Sequence, residues 1–479
     1  MKFGIAGFGV VGKSVLNFIQ TPLGKSTLAK LKNSDSLNEP LEILIRDDRR
    51  PSEVESTLIK SANAKFFHGD EISLASFVRE CDFVLTSPGI DIEECQHVQD
   101  KLLCELDLFQ LSFHKPVIGI TGTLGKTTTT KLIGKLLGLR YNVSIGGNIG
   151  IGMLDLTQQQ DKCDLAVLEL SSFQLRLNKT FTPNIAIWTN FFPNHLDLHG
   201  TAEDYFDSKF KLFEHQNENQ TAVFSASLFE TDFGNRLLQK ISKLKSHACI
   251  VSEERLSEDF IRQIPVTNLT VFFADKQTLF KYSKIKNTIE SVFDLTKLPP
   301  VTFLPNWLQV ITALYLNKID LKQFESCLAT TPRQDLVSDH HHRVEMFATI
   351  NGIEFYNDSK STVIQATEAA AKMLALQNKP IFLILGGLNK GVDRSPLMAN
   401  LKKIDQIKKT YCFGPNCSDF CDTNYFATLE ELLLDLKGKV QPGSLVLFSP
   451  SGTSFDFFKN YEERGEVFKE LVLKIFNSL

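Results

Sequence analysis

The stretch "GITGTLGKTTTT", Gly119 to Thr130, decides how this chain folds. An apolar run, "PVIGI" (Pro116 to Ile120), enters a glycine-rich turn and leaves it as the helix-like "KLIGKLLGL". Strand, turn and helix in that order aim several backbone N–H groups at one point. The helix N-terminus adds partial positive charge there, so anions settle. In such a turn Lys126 is placed to contact β- and γ-phosphates, and Thr127 to offer its hydroxyl to Mg²⁺. The spacing departs from the common pattern, because Ile120 occupies the position five residues before Gly125 and the stretch reads G-x-x-G-x-x-G-K-T-T. A glycine-rich turn with a surface lysine is the plainer reading, and the flanking strand and helix weigh against it.

Outward from this turn, short apolar strands alternate with helical patterns along most of the chain. That alternation marks α/β architecture with parallel sheets. "KFGIAGFG", "LEILIRDD" and "CDFVLTSPGI" read as strands of a first unit, and "PVIGITG", "CDLAVLELSS" and "PNIAIWTNF" as strands of a second. "IEFYNDS", "PIFLILGG" and "GSLVLFSP" read as strands of a third. Each run ends in small or polar residues, where ligands gather in such sheets. The sequence of 479 residues is too long for one core. The expected division is 1–106, Rossmann-like; 107–338, a P-loop-type ATPase sheet; and 339–479, Rossmann-like again. Val223 to Lys318 reads as a long, less regular tail of the second unit.

Hydrophobic content of 43% and a net charge of −4 are those of an ordinary globular protein and give no sign of a nucleic-acid or membrane surface. No apolar run approaches the ~18 residues that span a bilayer. "MKFGIAGFGVVGKS" is better read as strand–turn–helix than as an export signal. Nine scattered cysteines point to a reducing compartment, and the cluster Cys412, Cys417 and Cys421 fits no common zinc spacing. The expectation is a cytoplasmic monomer with small-molecule substrates.

Other residues carry chemistry only in context. Glu169 stands in the apolar run "LAVLELSS", where a buried carboxylate needs a metal or a salt-bridge partner. "FFPNHLDLHG" places His195, Asp197 and His199 in a loop; a loop histidine taken alone reads as surface. Lys209, taken alone, reads as an exposed helix lysine. "GFGVVG" (Gly7, Gly9, Gly12) after a strand is a dinucleotide fingerprint. The acidic residue expected about twenty positions later is missing, and Asp47 comes much further on, which counts against an NAD-dependent dehydrogenase.

Taken together, "GITGTLGKTT", "GNIG" (Gly147 to Gly150), "ELSSFQL", "TNFFPNHLDLHG" and "YFDSKFKLFE" resemble, in order and spacing, the central domain of the Mur ligases. These are ATP-dependent amide-bond-forming enzymes of peptidoglycan precursor synthesis. "HR-E" (His342, Arg343, Glu345), "NDSKST", "LILGGLNKG" and "FSPSGTSFDFFKNYEERG" extend the likeness through the third unit; the "SSF" run after Glu169 and "SPSGTSFDFFKNYEERG" are most similar to members that add D-glutamate to UDP-N-acetylmuramoyl-L-alanine.

The resemblance implies an acyl-phosphate route with ATP, two Mg²⁺ ions and a CO₂-derived carbamate on Lys209. It implies ATP contacts at Gly122, Thr123, Gly125, Lys126, Thr127, Thr128, Asn148, Asn306, Arg343 and Asp358, and metal ligands at Thr127, Glu169, His195 and Lys209. Lys126, Glu169, His195 and Lys209 would carry the chemistry. The UDP-sugar would meet Gly9, Val10, Val11, Gly12, Asp47, Asp48, Arg49, Ser87, Pro88 and Gly89. D-Glutamate would meet Lys360, Thr362, Lys390, Ser454 and Tyr461, the last a Phe in the family pattern. Leu124, Asn194 and Gln309 depart from that pattern, where Asn, Asp and Asn are expected. The alternatives are another Mur-type or folylpolyglutamate-type ligase, or a nucleotide-binding homologue with impaired catalysis.

Overall fold

The computed structural model describes the whole chain except residues 35–38, 194–195, 300, 332–335, 337–341, 376, 389–392, 416–423 and 478–479, and the side chains of 96, 196 and 197. Alternation of strand and helix gives three separate sheets. The first comprises β1 (Lys2–Ala6), β2 (Glu42–Asp47), β3 (Lys65–His68), β4 (Phe83–Thr86) and β5 (Leu102–Leu103). It is wholly parallel, in the order β3-β2-β1-β4-β5. Its chain order reverses beside β1, which opens a crevice at the carboxyl ends of β1 and β4.

The second sheet comprises β6 (Val117–Thr121), β7 (Val143–Gly147), β8 (Leu165–Glu169), β9 (Ile185–Trp188), β10 (Thr221–Ser225), β11 (His247–Ser252), β12 (Leu269–Asp275), β13 (Thr278–Ser283) and β14 (Thr288–Asp294). Its order is β14-β13-β12-β11-β10-β9-β6-β8-β7, parallel from β7 to β12 and antiparallel at the β12–β13 and β13–β14 pairs. Val223 to Lys318 is therefore regular where the sequence suggests otherwise: five strands and the helix Leu304–Leu316 widen the sheet.

The first two sheets share a single compact unit, Met1–Leu298 with Leu304–Thr331. One apolar core runs through both, from Phe3 and Ile5 through Leu106 and Phe109 to Trp188 and Phe224. The expected boundary at 106/107 falls inside the helix Glu105–Ser112, whose Leu106, Leu108 and Phe109 belong to that core.

A second compact unit comprises Pro299–Phe303 and Pro332–Leu479. Its sheet joins β15 (Glu345–Ile350), β16 (Ile353–Asn357), β17 (Ile381–Leu385), β18 (Ile407–Phe413), β19 (Tyr425–Phe426) and β20 (Leu445–Phe448) in the order β15-β16-β20-β17-β18-β19. Apolar clusters cover both faces of this sheet. Cys412, on β18, is disulfide-bonded, which runs against reading the scattered cysteines as a sign of a reducing compartment. Cys81, Cys95, Cys104, Cys163, Cys249 and Cys327 are free. Among the described residues no helix is long and apolar enough to cross a membrane.

Candidate active site

The β6 strand ends at Thr121, and the turn Gly122–Gly125 opens the helix Lys126–Leu137. Gly125 has φ +79°, and a Cβ there would lie 2.5 Å from Asn306 Oδ1. Only glycine suits that left-handed, crowded position, so Asn306 at the start of Leu304–Leu316 packs directly on the turn. Lys126 Nζ donates to the Gly122 carbonyl at 2.9 Å and to the Thr123 carbonyl at 3.1 Å. Thr127 Oγ1 donates to Glu169 Oε2 at 2.6 Å, and Asn148 Nδ2 donates to Glu169 Oε1 at 2.9 Å. The buried carboxylate at the end of β8 is thus satisfied by a hydroxyl of the helix that follows the turn and by an amide just past β7. Thr128 is buried in the first helical turn.

Lys209 is not the solvated lysine that its sequence setting suggests. The helix Ala202–Phe210 turns Tyr205, Phe206 and Lys209 inward, leaving Lys209 1% exposed. Its Nζ donates to the Gly122 carbonyl at 2.8 Å and sits 4.4 Å from the centre of the Tyr205 ring. Burial first, and the Lys126 charge second, hold its ammonium well below the usual lysine range, while Glu169 pulls the other way.

Gln309 is buried and donates through Nε2 to the Thr189 carbonyl at 3.2 Å. His195, Asn194 and Lys390 lie outside the described residues. His199, which the sequence reading left unassigned, meets Ser172 Oγ at 3.0 Å and stacks on Phe173. Nothing in a loop of "HLDLH" signals that burial.

At the first sheet, Gly9 precedes the helix Val10–Gln20, with Val10 exposed, Val11 half-buried and Gly12 buried. Asp47, ending β2, accepts from the backbone N–H groups of Phe8 and Arg49. The Arg49 guanidinium forks onto Glu55 at 2.9 Å through two nitrogens, and Asp48 pairs with Arg46 at 2.9 Å. Ser87 Oγ donates to the Gly7 carbonyl at 2.9 Å, with Pro88 and Gly89 following in the turn. A concavity here is lined by Thr86, Ser87, Pro88, Glu105, Phe173 and Gln174. The residues expected to meet a UDP-sugar thus gather at the carboxyl ends of β1, β2 and β4.

In the second unit Lys360 Nζ donates to the Tyr461 hydroxyl at 2.8 Å and lies 4.6 Å from its ring centre. The hydroxyl that distinguishes Tyr461 from Phe therefore holds this lysine. Asp358 accepts from Ser449 Oγ at 2.7 Å and from the Val344 N–H at 3.1 Å. Burial pushes its carboxyl up to about 7, against these bonds and the half-buried Arg343 nearby. Thr362 is half-buried and Ser454 buried. Arg464, fully buried, ties Ser359 to the Gly452 carbonyl, and Arg394 binds the Gly386 and Gly387 carbonyls. Both arginines hold the loops that follow β16, β17 and β20, and nothing in the sequence signals their burial.

Residues 120–313 match the Mur ligase middle domain family, and residues 342–452 match the Mur ligase glutamate ligase domain family. The chain is 29% identical to a UDP-N-acetylmuramoylalanine–D-glutamate ligase of Thermosipho africanus, with 99% of each chain covered. It is 30% identical to the enzyme of the same name from Acidobacterium capsulatum, covering 98% of this chain and 95% of that one. Its fold is similar to that of MurF from Acinetobacter baumannii, with a TM-score of 0.56 at 14% identity over 95% and 98% of the two chains. MurF from Thermotoga maritima in complex with ADP gives a TM-score of 0.54 at 15% identity over 91% and 95%. With the phosphate turn, its carboxylate and both domain matches in one chain, this protein belongs to the Mur ligase family and is a ligase.

Proposed function

We propose that the chain uses ATP to join D-glutamate to UDP-N-acetylmuramoyl-L-alanine, as a step in building peptidoglycan precursors. The observation that carries this reading is the convergence of Lys126, Thr127, Asn148, Glu169 and Lys209 on one turn. It occurs in a chain aligned end to end with D-glutamate-adding relatives. A carboxylate does not condense with an amine in water, because its oxide is a poor leaving group. Transfer of the γ-phosphoryl group to the substrate carboxylate gives an acyl phosphate; the amine of D-glutamate then attacks the carbonyl carbon and phosphate departs.

Each residue has a role in that sequence. The N-terminus of the helix that the turn opens and the Lys126 ammonium hold the phosphates in line with the acceptor. Thr127 and Glu169, with their oxygens 2.6 Å apart, form a hard-oxygen set that suits Mg²⁺. Bound there, Mg²⁺ would neutralise charge on the β- and γ-phosphates. Asn148 orients Glu169 through its second oxygen. Lys209, as a carbamate, would add an anionic oxygen beside Glu169, and His195 is assigned to the second ion by resemblance. Arg343 and Asp358 are assigned to the nucleotide. Lys360, Thr362, Lys390, Ser454 and Tyr461 are assigned to D-glutamate, whose two carboxylates suit lysines and hydroxyls.

The test is ADP release with each amino acid in turn, with and without the UDP-sugar-alanine. Release that requires both that substrate and D-glutamate supports the reading. Release with another acceptor would identify a different ligase of the superfamily. Nucleotide binding with no turnover under any condition would identify an impaired homologue, the outcome that the departures at Leu124, Asn194 and Gln309 motivate.

A further inference from the structure

We propose that Asn190 is a positioning residue that sets the shape of the phosphate turn by holding Leu124 through both of its backbone groups. The proposal rests on reading Gly122–Lys126 as the nucleotide site. Asn190 stands two residues beyond the end of β9, the strand beside β6. Its Oδ1 accepts from the Leu124 N–H at 2.8 Å, and its Nδ2 donates to the Leu124 carbonyl at 3.0 Å. Thr189 Oγ1 reaches the same carbonyl at 2.7 Å. The Asn190 carbonyl accepts from the Thr123 N–H at 3.2 Å and from the Trp188 indole at 3.1 Å. The Thr189 N–H in turn donates to the Thr121 carbonyl at 3.0 Å, while its carbonyl takes the Gln309 amide. Residues 189 and 190 thus run along the turn as a pairing partner, anchored from behind by Gln309.

This arrangement bears on the departure at position 124. A leucine side chain offers no hydrogen bond, so it cannot fix the turn from within. Asn190 fixes it from outside, with one donor and one acceptor spaced to match a peptide group. A turn held in this way does not have to order itself before a phosphate settles at the helix N-terminus that it opens, which is where preorganised electrostatic sites gain their strength. The chemistry calls for an amide. An ionised aspartate would turn a second acceptor toward the Leu124 carbonyl, and alanine would take the partner from the Leu124 N–H and leave the carbonyl to Thr189 Oγ1 alone. The charged groups against this turn are Lys126 and Lys209, bonded to its carbonyls, and Glu169, bonded to Thr127. All three are present in wild type and variants alike.

The experiment measures ADP affinity by calorimetry from about pH 5 to about pH 8 for wild type, N190A and N190D. The Michaelis constants for ATP and D-glutamate are measured alongside. N190A is expected to weaken ADP about ten- to a hundred-fold and to raise KM for ATP, leaving KM for D-glutamate within about two-fold. N190D is expected to bind weakly at the upper end and to recover toward wild type as the pH falls. Its protonated carboxyl can then both donate to the Leu124 carbonyl and accept from the N–H, and wild type has no such recovery. Should N190A not fold, the pH response of N190D decides alone. ADP affinity in N190A equal to wild type, or an N190D profile parallel to wild type, overturns the proposal. A wild-type chain that binds no ADP overturns the nucleotide-site reading, and the proposal falls with it; the two failures are distinct.

Discussion

The Lys209 ammonium lies over the Tyr205 ring with one carbonyl at 2.8 Å, a second cation nearby at Lys126 and little solvent. Such a site favours the neutral amine, whose lone pair can attack CO₂; the nitrogen loses a proton and an anionic carbamate remains. The neutral fraction grows as pH rises through the depressed pKa, so carbamate should grow in the same direction. ¹³C-Bicarbonate is expected to give a carbamate resonance that strengthens with pH and is absent from K209R. ADP release in K209R should fall on the order of a hundred-fold. A wild-type protein that turns over equally in CO₂-free buffer, with no such resonance, removes the carbamate from the mechanism. Resemblance singled out Lys209, yet the residue alone reads as surface. Burial of one lysine on a nine-residue helix depends on what the rest of the chain packs against it.

At the scale of elements, the strands whose ends carry candidate residues within each unit were the legible ones: β1, β2, β4, β6, β8, β9, β16, β17 and β20 all follow apolar runs that stop at small or polar residues. The strands β12 to β14 were not legible, because their turns use Lys276 at φ +54° and Asn287 at φ +50° instead of glycine, and β14 is largely exposed. The two-residue strands β5 and β19 are too short to show a period. Where strand ends carry the chemistry, backbone space is the constraint. Gly147, ending β7, has φ +97°, and a Cβ there would stand 2.3 Å from the Glu169 carbonyl oxygen. G147A is expected to destabilise the first unit by about 2–4 kcal/mol, combining the unfavourable φ with a backbone clash. It should also weaken nucleotide binding, because the segment it displaces carries Asn148 and abuts Glu169. G89A is the contrasting case: a Cβ there meets nothing within 4 Å, so denaturant unfolding should be unchanged. Equal stability of G147A and wild type in denaturant would contradict the packing argument.

For the whole molecule, motif order tells which residues belong together but not which charges the fold buries. Among the described residues, burial raises the pKa of one acid in each compact unit to about 7: Glu105 in the first and Asp358 in the second. Glu105 accepts backbone N–H groups from Met153 and Leu154, which pull its pKa the other way without overcoming desolvation. An acid whose folded pKa lies above its unfolded value keeps a proton in the native state that the unfolded chain has released. Native stability therefore declines as pH rises from about 4 through about 7, and the decline is complete above that window. For Glu105 the shift from 4.5 to about 7 corresponds to on the order of 3 kcal/mol. In E105Q the neutral amide keeps a carbonyl oxygen for the same N–H groups and carries no charge to desolvate. Denaturant unfolding at about pH 5 and about pH 8 should accordingly show a smaller loss of stability on raising the pH for E105Q than for wild type. D358N is expected to reduce the corresponding loss in the second unit. If E105Q loses as much stability as wild type between the two pH values, Glu105 is not protonated in the native protein.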